Sequence, residues 1–375
     1  RRHRVISRRV GAPRSDPRRC ARRLMAKRSA QTPLRWLREA GPRVAGSRDL
    51  DRSKVQAPGI VRDPSGGYRL FYTAIGSDRP FEACQGSIFS AFSNDGLNFV
   101  PDDGIRVAPD PAVPDRSLRV LAPSVTQVED RLWRMYFESR GPADRPTLIG
   151  SARSTDLLEW EVEEGARLAS AEGVGGPRYV SLGDGRGRLY YSESHFDEGG
   201  LADGQRMSQS IISAVTTDGL HFERESGDRM QDRYSEQEDV GITAADVMVP
   251  ANETERWWML YSAWQDVPAG TQKPLHPSND PQAVDRGTSA DFAVASIASD
   301  MAGYRSRIFA ASSDDGLSWT REGCVIEGEG HEQAGIDAVH AEDMSVIRLD
   351  DGGYRMYYAA CDRAGNWCIA SAKTG

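Results

Sequence analysis

The residues of this sequence best suited to chemistry are two aspartates in similar local settings. Asp246 stands in TAADVMVP and Asp343 in HAEDMSVI, the second accompanied by Glu342 and His340. Two carboxylates in different environments can divide acid and base work, one protonating a leaving oxygen while the other activates water or attacks. More polar residues recur at matching places: Glu138 with Arg140, Glu193 with His195, Trp264 with Gln265, and Arg178 and Gln56 near the same positions in other copies of a repeat. Carboxylates, histidines, arginines and a tryptophan around one opening suit a sugar, whose hydroxyls need paired acceptors and whose ring face stacks on an aromatic. Asp246, Asp343 and Glu193 are therefore the catalytic candidates. Glu342, His340, His195, Glu138, Arg140, Arg178, Trp264 and Gln56 are the substrate-binding candidates. The plainer alternatives are that the two aspartates accept backbone N–H groups and hold the fold together, or that they ligate a metal or ordered water. The histidines are equally suited to structural hydrogen bonds at strand ends. Arg140 and Arg178, if turned inward, would take a phosphate or sugar carboxylate bidentately. No CxxC pair or zinc-type His/Cys spacing occurs, so neither a metal nor a cofactor is expected.

The elements that must position these residues repeat five times. PGIVRDPSGGYRLFYTA from Pro58, PSVTQVEDRLWRMYFES from Pro123, PRYVSLGDGRGRLYYSE from Pro177, VMVPANETERWWMLYSA from Val247 and MSVIRLDDGGYRMYYAA from Met344 each read as strand, turn and aromatic-rich strand. A hairpin cannot bury both of its faces alone, so the recurrence predicts units stacked around an axis. The expectation is an all-β, five-bladed β-propeller. An ungapped alignment on Arg69, Arg134, Arg188, Trp258 and Arg355 places Ala57, Ala122, Gly176, Asp246 and Asp343 at one inner-strand position. Carboxylates at so narrow a point need a reason to be there.

A second phrase follows the first in four units: SAFSNDGLNF to Phe99, SARSTDLLEW to Trp160, SAVTTDGLHF to Phe222 and AASSDDGLSW to Trp319. Asp95, Asp218 and Asp315, each before glycine, suit tight left-handed turns, and the closing aromatic should pack between units. These aspartates are read as structural. The last unit has three strands, so a strand from the N-terminal side, around Arg43 to Val55, should complete it. Asp266 to Met301 reads as a long surface loop rich in Pro, Gly, Asn and Asp.

The chain has 375 residues and a net charge of -8, yet its first 45 residues are crowded with arginine. The remainder is therefore strongly acidic, which disfavours nucleic acid as its partner. Residues 1–44 are expected to be a basic extension, disordered or non-native, with 1–24 read as upstream of the start at Met25; residues 45–375 form the propeller. No apolar run reaches the roughly 20 residues of a membrane helix, so no membrane partner is expected. Five cysteines without an export signal suggest free thiols in the cytoplasm. Cys361 and Cys368 flank the last hairpin and could face each other.

Five units with a DGxYRMYY second strand and an SxDGLxW turn resemble the five-bladed propeller glycosidases. These comprise the arabinanase and xylosidase group of glycoside hydrolase family 43, the invertase and levansucrase groups of families 32 and 68, and the mannoside phosphorylases of family 130. The resemblance covers about residues 50 to 375 and implies an enzyme acting on a glycosidic bond of a carbohydrate. The family 43 pattern, however, has acids at the first three openings, where this sequence has Ala57, Ala122 and Gly176 in QAP, LAP and GGP. A glycoside hydrolase is the leading reading. The alternatives are a phosphorylase with one acid, recruiting phosphate through Arg140, Arg178 or His195, a non-catalytic sugar-binding propeller, or a protein-binding scaffold.

Overall fold

A computed structural model describes residues 34–48, 51, 54–75, 86–142, 145–183, 185–195, 208–232, 241–266, 304–328, 335–363 and 366–375. The long segment expected as a loop after Asp266 and the arginine-rich head before residue 34 lie outside these. Among the described residues the regular structure is strand, apart from one 3-10 turn at Pro114–Arg116. No helix among them is long and apolar enough to cross a membrane.

The strands form repeated antiparallel meanders. The first strands are Lys54–Arg62, Arg119–Glu129, Val174–Gly183, Gly241–Met248 and His340–Arg348, and each pairs with the strand that follows it. The first strands also touch one another in a closed cycle, unit 1 meeting both unit 2 and unit 5. The second strands carry the aromatic repeat, with Phe71, Tyr72, Tyr136, Phe137, Tyr190, Tyr261, Tyr357 and Tyr358 essentially free of solvent. Alternation sends these rings to opposite faces of the sheet, and each face becomes core against the next unit.

The turn phrase behaves as its residues require. In unit 1 the N–H groups of Leu97 and Asn98 both donate to Asp95 at 2.8 Å, while the N–H of Gly96 donates to Ser93 Oγ. The same pattern recurs at Asp156, Asp218 and Asp315. The closing aromatic then stands edge-on against a second-strand ring of the preceding unit: Phe99 on Tyr357, Trp160 on Phe71, Phe222 on Tyr136 and Trp319 on Tyr190. Three of those tyrosines also donate to a turn carbonyl, at Gly96, Gly219 and Gly316. These aspartates bind backbone and face outward, as a structural role demands.

The last unit is completed from the other end of the chain. Trp36–Arg38 and Val44–Ala45 both pair antiparallel with Trp367–Thr374. The outer strand thus begins earlier than the expected Arg43, and the propeller takes in residues that the sequence assigned to the basic extension. Side chains account for the difference. In three units a carboxylate in or directly after the outer strand (Val100–Pro101, Glu161–Ala169, Glu223–Arg224) accepts from a third-strand serine and a second-strand arginine: Asp102 from Ser90 and Arg69, Glu163 from Ser151 and Arg134, Glu225 from Ser213 and Arg188. In the last unit Glu39 fills that place, accepting from Ser371 and from both Nε and Nη2 of Arg355. Cys361 and Cys368 fall in core clusters on opposite faces of their sheet, so they do not face each other.

Candidate functional site

Each first strand carries one extra residue near its start, and there the backbone enters the left-handed region. The residues concerned are Ala57, Ala122, Gly176, Ala244 and Asp343, with φ of 48°, 52°, 57°, 47° and 48°. The pairing register shifts at each of these places. Four of the five have a side chain in a conformation that costs roughly 1–2 kcal/mol, so the surrounding structure must impose it. It does so through latches between units. The N–H of Ala122 donates to Thr73 of unit 1, that of Gly176 to Glu138 of unit 2, and that of Asp343 to Ser262 of unit 4.

This register corrects the repeat alignment. Partners Val61 and Arg69 stand eight positions apart, as do their counterparts in units 2, 3 and 5, whereas Met248 and Trp258 stand ten apart. The hairpin turn of unit 4 is two residues longer, so Ala244, and not Asp246, is the counterpart of Asp343. Asp246 belongs to a second ring with Gly59, Ser124, Arg178 and Ser345, two residues further along.

That second ring fastens the axis. The N–H groups of Tyr179, Val346 and Ile60 donate to Ser124, Asp246 and Ser345 respectively, each across a unit boundary. Gly59 admits no side chain, because a Cβ there would lie 2.2 Å from the carbonyl oxygen of Pro123. Arg178 turns inward and donates to four carbonyls: Pro123 at 3.3 Å, Pro177 at 3.1 Å, Pro58 at 3.0 Å and Met344 at 3.3 Å. Burial pulls its guanidinium down from the ordinary value, while Asp246 and then Asp343 hold it up. Burial likewise pushes the Asp246 carboxyl up, opposed by Arg178 and by the N–H groups of Val346 and Val247. Arg178 is thus committed to main-chain oxygens, a setting that leaves little of its fork for a substrate anion.

Asp343 differs. No described residue donates a hydrogen bond to its carboxylate, and the residue is half-buried. Burial, then Glu342, push its carboxyl up to about 7, against the opposing pull of Arg178 and Lys54; Glu138 adds to the push. A carboxyl with that acidity can hold a proton near neutrality and release it to a reacting oxygen.

Of the other candidates, Glu342, Arg178 and Glu138 act on the Asp343 carboxyl. Glu342 is buried and accepts from Trp264 Nε1 at 2.9 Å, which brings those two residues together beside Asp343. His340 lies on the same strand, with Nδ1 3.0 Å from Ser306 Oγ and its ring stacked on Trp367. Gln56 occupies in unit 1 the register position of Glu342 in unit 5. Glu138 accepts from Arg140 Nε at 2.5 Å as well as from the N–H of Gly176. Glu193 is buried and pairs at 2.8 Å with Arg224 of the outer strand. The backbone of His195 pairs with Ser208, and its side chain lies outside the described residues. Lys54, absent from the sequence candidates, is buried with Nζ 3.9 Å above the Trp367 ring. Its signal was its place three residues before Ala57, matching His340 three before Asp343.

No family model and no curated protein matches this sequence. Solved structures do match its fold. A glycoside hydrolase aligns over 94% of this chain and 95% of its own with a TM-score of 0.64 at 14% identity. A thermostable family-43 glycoside hydrolase aligns over 85% and 89%, with a TM-score of 0.57 at 13% identity. The β-1,2-mannobiose phosphorylase of Listeria innocua aligns over 92% and 97%, with a TM-score of 0.61 at 13% identity. The fold is that of the propeller glycoside hydrolases and phosphorylases. At such identities the likeness concerns architecture, and chemistry must be argued from the residues.

Proposed function

We propose that this chain is a five-bladed β-propeller enzyme that cleaves a glycosidic bond, with Asp343 as the acid that protonates the leaving oxygen. The closed cycle of first strands and the outer strand supplied by Trp36–Ala45 support the blade count. The observation that carries the chemistry is Asp343 itself. It is the sole carboxylate on a ring otherwise made of Ala57, Ala122, Gly176 and Ala244, and its pKa is raised to about 7. A group that is half protonated at neutrality combines a usable proton supply with a strong drive to deliver it. Glu342, oriented by Trp264, would contact substrate hydroxyls, and the indole face offers a stacking surface.

The lone ring acid supports a second reading, in which phosphate attacks in place of water. A phosphorylase needs one protein acid because its nucleophile arrives already ionised, and Asp246 and Glu193 are both engaged in protein contacts. An oligosaccharide and aryl-glycoside screen run with and without inorganic phosphate separates the two. Hydrolysis releases reducing sugar without phosphate, whereas phosphorolysis yields sugar phosphate and stops when phosphate is removed. Turnover in either arm should fall at least about 100-fold in Asp343→Asn, the scale of a lost general acid. Saturable sugar binding without turnover would replace the enzyme reading with that of a binding module.

A further inference from the structure

Arg178 is the one long side chain on the second ring, and its guanidinium gathers carbonyls from four different units. Three of those carbonyls belong to Pro58, Pro123 and Pro177, which have no N–H to offer, and the fourth belongs to Met344. Each follows directly on a left-handed ring residue: Ala57, Ala122, Gly176 or Asp343. The cation therefore sits where the first strands converge, immediately beneath the ring that bears the candidate acid. Unit 4 provides Asp246 in place of a carbonyl contact.

We propose that Arg178 is a built-in axial cation, a positioning residue that fixes the ring carbonyls of four units and sets the charge state of Asp343. The first role follows from geometry. One planar fork with several fixed donors can satisfy converging carbonyls that would otherwise face each other unpaired in the interior, and it stays charged there. The second follows from the charges around Asp343. Its own strand brings Glu342, unit 1 Lys54, unit 2 Glu138 and unit 3 Arg178, while unit 4 contributes the neutral Ser262 and, acting on Arg178, the carboxyl of Asp246. Two acids raise its proton affinity and two cations lower it. Arg178, whose lowering effect exceeds that of Lys54, keeps the proton exchangeable near neutrality. The catalytic consequence rests on the reading of Asp343 as the acid; the electrostatic claim does not, and its test needs no substrate.

That test compares melting temperatures of the full chain and its Asp343→Asn variant from pH 4 to 9. A carboxyl with raised proton affinity in the folded state favours that state at low pH and loses the advantage as pH rises from its unfolded to its folded pKa. The parent should therefore fall relative to Asp343→Asn up to about pH 7 and then run parallel. In an Arg178→Gln background the fall should continue to higher pH, by about one unit. Arg178→Lys keeps the charge and loses donors, so it should melt lower while leaving the pH at which the curves become parallel unchanged. An unmoved profile in Arg178→Gln overturns the proposal. If that variant does not fold, Arg178→Lys decides: a shifted profile with charge retained overturns it equally. Failure of the glycosidase screen with the pH result intact would remove the enzyme reading alone.

Discussion

Asp246 and Asp343 look alike in sequence and differ in everything that matters for chemistry. Asp246 receives Val346 N–H at 2.6 Å and Val247 N–H at 2.9 Å and lies beside Arg178, so its carboxyl is part of the fold. Replacing it by alanine strands a buried cation and two donors. Hydrogen bonds to charged groups are worth roughly 1.5–3 kcal/mol each, so the melting temperature should drop by several degrees in calorimetry. Asp343→Asn should do the reverse above neutrality. Because its folded pKa is raised to about 7, the ionised carboxylate costs stability there, and the asparagine variant should melt a few degrees higher at pH 8 while matching the parent near pH 4. A variant more stable and less active would identify a residue kept for function. The sequence exposed both aspartates but not the difference between them. AADVMV and AEDMSV match by eye, and only the pairing register reveals the longer turn in unit 4.

At the scale of the strand, the recurring left-handed residue explains what repeats and what does not. Strand, turn and aromatic pattern were legible because they follow from period-two burial and from turn chemistry. The extra residue in each first strand was not, because alanine gives no hint of positive φ and only Gly176 carries the expected signature. Mutation can measure this hidden strain. Ala122→Gly relieves roughly 1–2 kcal/mol of backbone strain against a glycine penalty of roughly 0.5–1 kcal/mol. Its melting temperature should stay level or rise, unlike that of an ordinary strand alanine. Gly175→Ala should do the opposite, since its Cβ would stand 2.2 Å from Glu138 Oε2 and break the latch to Gly176. Thermal melts of the two variants side by side test the assignment.

For the molecule as a whole, the outer strand of the last unit decides integrity. Removing residues 1–24 should leave the melting temperature unchanged, as the sequence reading expects, whereas removal through residue 48 takes away Trp36, Glu39 and Val44 together. Trp36 belongs to the core between units 4 and 5, and Val44 to the core between units 5 and 1. The longer truncation should abolish cooperative melting. Glu39→Gln, which keeps the shape and removes the charge facing Arg355, should cost about 1–3 kcal/mol.

The contact between Glu39 and Ser371 spans 332 positions of sequence. During synthesis, Trp36–Arg38 leaves the ribosome more than 300 residues before its partner strand Trp367–Thr374 and must wait for it. Contacts so distant in sequence form slowly, and an unpaired strand edge is exposed throughout the wait. The meanders pair neighbouring segments and can form as they emerge, whereas closing the circle must wait for Trp367–Thr374. The site shares that timing, since Asp343, Lys54 and Arg178 come from the last, first and third units, and their mutual electrostatics exist only once the circle has shut.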